Sequence, residues 1–209
     1  MSSMSIVGAQ NLSFLHIPRT AGESINKWLR EIEGEYIQKT GAREAINTWA
    51  EVENHPKLSA FRVDHPTNYT FTIVRNPWDR AVSAYFNFIQ IATEEQRQAA
   101  MAVNGWTTVP TFEQVISVGE GLKTPDWENE VYASQSSWID DSIDLVVKLE
   151  NLEVDIQPIR DLFGSATTAI PRENTTTRDR DYRGYYNTNT QNIIARLFAE
   201  DIDRWGYTF

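Results

Sequence analysis

The sequence contains no cysteine and only three histidines among its 209 residues. Disulfide bonds and thiolate metal sites are therefore excluded, because both need a cysteine sulfur. The three histidines are scattered along the chain, so the sequence also predicts no metal centre. Any chemistry of this chain is expected to depend on other side chains and on the backbone.

Long apolar runs are missing as well. No window approaches the roughly eighteen consecutive apolar residues that suggest a membrane span. Met1 to Gln10 has neither the basic segment nor the apolar segment of an export signal. The sequence thus predicts no membrane span and, together with the lack of cysteine, favours a cytoplasmic protein.

Positive charge is in deficit. The chain has 19 lysines and arginines against 29 aspartates and glutamates, which gives a formal net charge of -10 and a pI near 4.8. Such a surface repels the phosphates of nucleic acid unless a local basic patch offsets it. The composition therefore predicts no nucleic-acid partner, and an acidic surface of this kind also serves solubility.

What remains is an ordinary globular composition, with 41% hydrophobic and 23% charged residues. A chain of 24.0 kDa is long enough to bury a proper core. We expect a single domain over residues 1–209.

The residues from Asn11 to Arg30 have the pattern of a strand, a tight turn and a helix. Leu12 to Ile17 is a nearly continuous apolar run, typical of a strand buried in a parallel sheet, and Pro18 ends it. Arg19 to Gly22 form the turn. A helix with one apolar face follows, through Ser24, Ile25, Trp28 and Leu29.

This turn has the features of an anion site. The first N–H groups of a helix have no partner within the helix, and the positive end of its dipole points outward, which suits a phosphate or sulfate. Arg19 adds a permanent positive charge. The nucleotide-binding pattern G-x-x-x-x-G-K-[ST] is absent, and similar turns in other proteins bind nothing, so a plain structural turn is the alternative.

A second strand, turn and helix begins at Tyr69. Tyr69 to Val74 is rich in aromatic and β-branched residues, and Asn76 and Pro77 are good first residues for a helix reaching about Ile91. Arg75 follows the strand, at the edge where open α/β sheets bind ligands, and Ser83 lies two turns into the helix. Arg75 as a surface ion-pair partner is the alternative reading.

The other elements are predicted from periodicity and turn residues. The polar segment Ile170 to Asn189 interleaves arginine and tyrosine and is interpreted as a ligand-facing loop, with an ordinary solvated loop as the alternative. Strands are predicted over Glu35–Gln38, Leu58–Val63 and Leu145–Leu149, and helices over Ala42–Val52, Thr93–Val103, Thr111–Val118, Asn151–Phe163 and Thr190–Trp205.

Together the two strand-turn-helix stretches resemble the PAPS-dependent sulfotransferases, in particular the carbohydrate and membrane-type branch and its bacterial relatives. PAPS is 3'-phosphoadenosine 5'-phosphosulfate. The resemblance is carried by F-L-H-I-P-R-T-A-G-E-S-I at Phe14 to Ile25, which is similar to the family's 5'-phosphosulfate loop, and by F-T-I-V-R-N-P-W-D-R-A-V-S-A-Y at Phe71 to Tyr85, which is similar to its 3'-phosphate motif. Val146–Asp155, Ile170–Asn174, Tyr182–Tyr186 and Asp201–Tyr207 are similar to the family's C-terminal half, so the likeness covers nearly the whole chain and is weakest between Tyr36 and Asn68.

The resemblance implies a P-loop-like, three-layer α/β domain with a mainly parallel central sheet flanked by helices. It implies transfer of a sulfuryl group from PAPS to an acceptor hydroxyl, with release of PAP and without a metal. Arg19 would also take part in catalysis. The cofactor-binding residues that it implies are Arg19, Thr20, Ala21, Gly22, Glu23, Ser24, Ile25, Arg75, Ser83 and Arg183.

The phosphosulfate loop departs from the family pattern at three positions. Arg19 stands where lysine is usual, Ala21 where glycine is frequent, and Glu23 where threonine is common. Arg19 still supplies the charge. Glu23 places a carboxylate near the expected sulfate, where it would either repel the donor or orient the acceptor.

The general base is assigned from the three histidines. His16 lies inside the first strand, where a structural role is expected, and His65 precedes the strand Tyr69–Val74 at the amino edge of the sheet. His55 has the spacing from Arg75 that best resembles the family's arrangement, so it is the predicted base. Glu23 and Lys39 are the alternatives.

The acceptor stays open at this point among glycan, lipid, small metabolite and tyrosine. The residues Trp106, Trp127, Gln135 and Trp138 would either line a sugar-stacking cleft or belong to the core. Two other functions are weighed against sulfuryl transfer, a PAP-binding protein without catalysis and a P-loop-like nucleotide or sugar kinase.

Overall fold

The structure is a computed structural model that describes residues 5–7, 12–40, 50–52, 57–90, 92–119, 132–164, 167–173 and 178–209. The chain falls into two compact units. The first comprises Met1–Arg75 and Ser137–Thr175, and the second comprises Asn76–Ser136 and Thr176–Phe209. The single domain expected over residues 1–209 stays a prediction.

The strands, in chain order, are β1 Ser5–Val7, β2 Leu12–Leu15, β3 Ala50–Val52, β4 Tyr69–Val74 and β5 Leu145–Lys148. The helices are α1 Gly22–Thr40, α2 Leu58–Asp64, α3 Pro77–Tyr85, α4 Glu94–Asn104, α5 Phe112–Ser117, α6 Leu152–Asp155, α7 Gln157–Leu162, α8 Thr188–Leu197 and α9 Ala199–Trp205.

The first unit is built on one sheet with the strand order β3-β1-β2-β4-β5. The strands β2, β4 and β5 run parallel, while β1 lies antiparallel between β2 and β3. The register pairs Phe14 with Phe71 and Phe71 with Leu145. Parallel strands joined through helices confirm the predicted α/β class, and the parallel part of the sheet has three strands.

One core cluster of the first unit lies on one face of this sheet. Side chains alternate along a strand, so every second residue of β2 and β4 faces the same side, and the helical period of α1 brings a matching apolar stripe against them. Burying each large apolar side chain contributes about 1.5–3 kcal/mol. The buried cluster comprises Leu12, Phe14, Ile25, Trp28, Leu29, Ile32, Phe71, Ile73, Val147, Ile156, Ile159 and Phe163.

The strand predicted over Glu35–Gln38 is wrong, because α1 continues through it to Thr40. Tyr36 lies four residues after the buried Ile32 and packs edge-on against Phe163, so it extends the same helical stripe. Glu35 lies on another side of the helix, and its carboxylate accepts hydrogen bonds from the backbone N–H groups of Thr167 at 2.9 Å and Thr168 at 2.8 Å.

The extended segment predicted over Leu58–Val63 is also wrong, because these residues form α2. Leu58 and Phe61 are buried at a spacing of three, while Val63 is 78% exposed. That is the period of a helix, not of a strand. A helix is predicted over Ala42–Val52, but its last three residues, Ala50–Val52, form strand β3. The residues before Ala50 lie outside the described part of the chain.

The described part of the second unit is mainly helical. Three of its helices, α4, α5 and α8, begin with a capping box. The N-cap side chain accepts a hydrogen bond from the backbone N–H three residues later, and the N-cap residues are Thr93, Thr111 and Asn187. The helices predicted from Pro77, Thr93 and Thr111 are confirmed, and α3 continues into a π-helical turn, Phe86–Gln90. The helix predicted over Thr190–Trp205 is divided into α8 and α9 at Phe198.

In the described ranges, no helix is long and apolar enough to cross a membrane.

Candidate active site

The predicted anion-binding turn connects β2 to α1 in the first unit. β2 ends at Leu15, and α1 begins at Gly22. Because β2 and β4 are parallel neighbours, their carboxyl ends lie at one edge of the sheet, and the turn leaves from that edge. The first N–H groups of α1, which have no acceptor within the helix, point toward this edge together with the positive end of the helix dipole.

Arg19 and Ala21 adopt left-handed backbone conformations, with φ of 68° and 72°. Among the described residues these are the two non-glycine residues with positive φ. The left-handed conformation costs such residues about 1–2 kcal/mol each, and strain of this kind tends to collect at functional sites. Alternation of left-handed residues with others turns successive N–H groups toward one point, which forms an anion-binding nest.

The left-handed backbone at Ala21 bears on one departure from the family pattern. Glycine, frequent at this position in the family, adopts positive φ without a steric cost. Here alanine takes the same conformation. The surrounding structure must therefore hold the loop in place, since alanine does not favour this conformation by itself.

Several contacts fix the loop from within. The Thr20 side chain is fully buried, and its hydroxyl donates to the carbonyl of Ile17 at 2.7 Å. The backbone N–H of Ile25 donates to the carbonyl of Ala21 at 3.1 Å, which joins the loop to the first turn of α1. The first contact closes the loop on itself, and the second connects the loop to α1.

Arg75 holds the loop from the neighbouring strand. It follows β4, and its Nη1 donates to the carbonyl of Arg19 at 3.2 Å. The structure therefore brings the two predicted arginines of the first unit together at one loop. Two arginines and the N-terminus of α1 therefore meet at this loop, and each of these groups favours an anion.

A tie to α1 that the sequence analysis missed involves Glu173. The backbone N–H of Glu173 donates to Ser24 Oγ at 2.9 Å, and its carboxylate accepts from Lys27 Nζ at 2.6 Å. This hydrogen bond and the Glu173 charge raise the pKa of Lys27. Ser24 and Lys27 are three residues apart and so face the same side of α1, but this spacing does not identify Glu173 as their partner.

Ser83 and Arg183 belong to the second unit, and their role in cofactor binding stays a prediction. Ser83 is buried within α3. Arg183 is exposed, lies 4.9 Å from the ring centre of Tyr182, and places Nη1 at 3.3 Å from a carboxylate oxygen of Asp181.

Within the second unit the C-terminal motifs pack around the start of α3. Asn76 Oδ1 accepts from the backbone N–H of Trp78 at 3.0 Å, as expected of an N-cap. Asn76 Nδ2 donates to the carbonyl of Thr208 at 2.9 Å, and Arg178 pairs with Asp79 at 2.7 Å. The sequence analysis predicted the cap but missed both long-range contacts.

The structure describes the three candidates for the general base to different extents. His55 lies outside the described residues, and Lys39 is in α1 with its side chain outside the description. Glu23 is in the first turn of α1 and half-buried. His16 is buried, as the structural role predicted for it requires, and His65 lies at the end of α2, just ahead of β4.

Two of the four middle-region residues belong to the interior. Gln135 is fully buried and Trp138 almost so, which favours the core interpretation for both. Trp106 is half-buried, and Trp127 lies outside the described residues. Across the described ranges, no group of histidine, aspartate and glutamate side chains is arranged to hold a metal ion.

Asp201 organises the segment that contains Gln135. Its fully buried carboxylate accepts backbone hydrogen bonds from Gln135 and Ser136, both at 2.8 Å, and side-chain hydrogen bonds from Ser134 and Ser136. All four residues lie in the second unit. A buried charge is tolerated only where donors replace water in this way.

We expect Asp201→Asn to lower the free energy of unfolding by about 1–3 kcal/mol, because an amide cannot accept all of these hydrogen bonds and leaves a buried donor unsatisfied. Urea unfolding measures the change. Asp203→Asn, an exposed carboxylate in the same helix, is the matched control and should leave the midpoint unchanged. Identical curves for Asp201→Asn and the wild-type protein would contradict this structural role.

Comparison with known proteins gives a family match over nearly the whole chain. A model of the sulfotransferase family matches residues 3–208. No curated protein matches the chain. A similar solved structure is the crystal structure of mouse sulfotransferase SULT7A1 complexed with PAP, at 14% sequence identity and a TM-score of 0.46, with 94% of this chain and 86% of that chain covered.

Proposed function

This chain belongs to the sulfotransferase family, and we propose that it transfers the sulfuryl group of PAPS to a hydroxyl of a carbohydrate or small metabolite. Membership makes it a PAPS-dependent sulfotransferase, and the class of acceptor is the proposed part. The observation that supports a donor site is the loop after β2, with left-handed backbone at Arg19 and Ala21 and with Arg75 bound to it.

In this reaction the bond between sulfur and the bridging oxygen of the donor breaks, a bond from sulfur to the acceptor oxygen forms, the acceptor proton goes to a base, and PAP leaves. The protein contributes position and charge, as in phosphoryl transfer. We assign the N–H groups of Thr20 to Ser24 to the phosphosulfate end. Arg19 is assigned to the charge that develops on the leaving phosphate.

The acceptor is tested by incubating the full chain with PAPS carrying labelled sulfur and a native cell extract, then identifying the labelled product. We expect label in a hydroxyl-bearing glycan or small molecule. A parallel reaction with labelled ATP distinguishes a kinase, which would transfer phosphate instead. PAP binding without label in any extract would favour a binding protein without catalysis and contradict the proposal.

Arg75 is proposed to bind the 3'-phosphate of the donor, together with the Ser83 and Arg183 roles implied by the family motifs. Arg75→Ala should reduce the preference of the protein for PAP over 5'-AMP. An arginine-phosphate hydrogen bond contributes about 1.5–3 kcal/mol, so the preference should fall roughly 10- to 150-fold. Calorimetric titration with both nucleotides measures it.

The contact of Arg75 with the Arg19 carbonyl makes the ratio the informative quantity. Loss of loop support would weaken PAP and 5'-AMP alike and leave the ratio unchanged, whereas loss of the 3'-phosphate contact would weaken PAP alone. An unchanged ratio would contradict the proposed role. Arg30→Ala, which removes an exposed arginine of α1, is the control for net charge.

A further inference from the structure

His16 and Gly22 lie against each other at the entrance to the donor loop. A Cβ atom added to Gly22 would meet three atoms of the His16 ring, with Nε2 at 1.9 Å, Cδ2 at 2.1 Å and Cε1 at 2.2 Å. The three distances are nearly equal, so the atom would fall on the face of the ring and not beyond its edge. The imidazole therefore occupies the space of a side chain at position 22.

Conformation does not explain the glycine. Gly22 is the first residue of α1, and its φ is not in the left-handed region. Alanine would fit the backbone there at no conformational cost. The three atoms nearest to an added Cβ all belong to the His16 ring, so this ring excludes a larger residue.

The position of the ring follows from the pleat of β2. Leu12, Phe14 and His16 alternate with Ser13 and Leu15, so His16 continues the core-facing side of the strand beyond its end. The His16 ring stacks on Phe14, with centroids 5.8 Å apart and planes inclined by 28°. Phe14 in turn packs on Phe71 in the core cluster. The position of the His16 ring is thus fixed by its stacking on Phe14, which belongs to the buried face of the sheet.

We infer that His16 is a positioning residue of the donor site, which sets the height of Gly22 above β2 and so keeps the loop from Arg19 to Ala21 in its left-handed, anion-binding conformation. This inference rests on the proposed function, because it assigns the loop to the phosphosulfate end of the donor. The loop needs such support, since neither Arg19 nor Ala21 favours positive φ by itself.

The inference predicts that the two residues are coupled. Gly22→Ala should weaken PAP binding and raise the KM for PAPS at least tenfold, because the new methyl group displaces the loop from the ring. His16→Ser removes the ring and should weaken PAP binding and raise the KM for PAPS to a smaller degree. In the His16→Ser background, adding Gly22→Ala should then cost less than threefold, because the methyl group has room. Such non-additivity is the signature of direct contact.

Gly34→Ala is the matched control. Gly34 lies in the same helix, and a Cβ added there meets nothing within 4 Å. This variant should keep wild-type PAP affinity and melt at an equal or higher temperature, because alanine is the better helix former. Calorimetric titration with PAP, steady-state kinetics with PAPS and thermal melting are measured for all variants. His16→Asn replaces His16→Ser as the background if the serine variant does not fold.

The outcomes separate this inference from the proposed function. Equal losses of PAP affinity on adding Gly22→Ala to the wild-type and His16→Ser proteins, with PAP bound by the wild type, would overturn the positioning role alone. Coupling in melting temperature without coupling in PAP affinity or KM would also overturn it, because the contact would then be only structural. Failure of the wild-type protein to bind PAP would overturn the proposed function and the positioning role with it.

Discussion

Replacing Arg19 with alanine should lower turnover with PAPS by about 100-fold or more, while PAP binding changes much less. The reason is that charge builds on the leaving phosphate as its bond to sulfur breaks. A cation that interacts more strongly with this charge than with the bound donor accelerates the reaction without tightening the complex to the same degree. Steady-state kinetics and calorimetric titration with PAP separate the two effects.

The left-handed backbone of Arg19 provides a sharper control than alanine alone. Arg19→Gly removes the guanidinium but adopts positive φ freely, so the loop keeps its shape. Arg19→Lys keeps the charge and introduces the residue usual in the family. We expect the glycine variant to lose as much turnover as the alanine variant and the lysine variant to retain most of it. Full turnover of Arg19→Gly would show that the side chain is not the catalytic group.

Local patterns predicted the elements that carry this loop. The apolar run from Leu12, the stop at Pro18 and the apolar stripe of Ile25, Trp28 and Leu29 are read within twenty residues, and the structure has β2 and α1 there. The Asn76 cap of α3 was predictable for the same reason, since a cap is a contact between near neighbours.

Contacts between distant residues could not be read in this way. Glu173 meets Ser24 and Lys27 across nearly 150 residues, and nothing in the local pattern of either segment specifies the partner. The error at Leu58–Val63 has a related cause. Six residues with two buried positions fit a strand or a helix about equally well, and tertiary packing of Leu58 and Phe61 decides between them.

The contact between the His16 ring and Gly22 depends both on local patterns and on packing between elements. The sequence predicts a buried histidine near the end of β2 and a glycine in the turn, and each has an ordinary explanation by itself. Their contact depends on the pleat of β2, the start of α1 and the packing of one on the other. A pattern of residue types therefore indicated an anion site, whereas the reason the loop holds its shape required coordinates.

His55→Ala should lower turnover by about 100-fold or more and remove the acidic limb of the pH profile. The acceptor hydroxyl loses its proton as the sulfuryl group arrives, and a histidine base accepts it only while neutral. The unperturbed pKa of a histidine side chain is about 6.5, so turnover of the wild-type protein at saturating PAPS should fall as the pH drops through that region. This limb should disappear with the imidazole.

The alternatives give different profiles. The unperturbed pKa is about 4.3 for glutamate and about 10.4 for lysine, against about 6.5 for histidine. Because active sites shift these values, the variant that loses the limb identifies the base. His65→Ala, a histidine at the end of α2, is the matched control and should change neither turnover nor limb. If His55→Ala keeps full activity and its acidic limb, while Glu23→Gln loses both, the base is the carboxylate in the first turn of α1. Glu23 would then orient the acceptor, because a carboxylate that takes the acceptor proton must lie beside the hydroxyl that attacks.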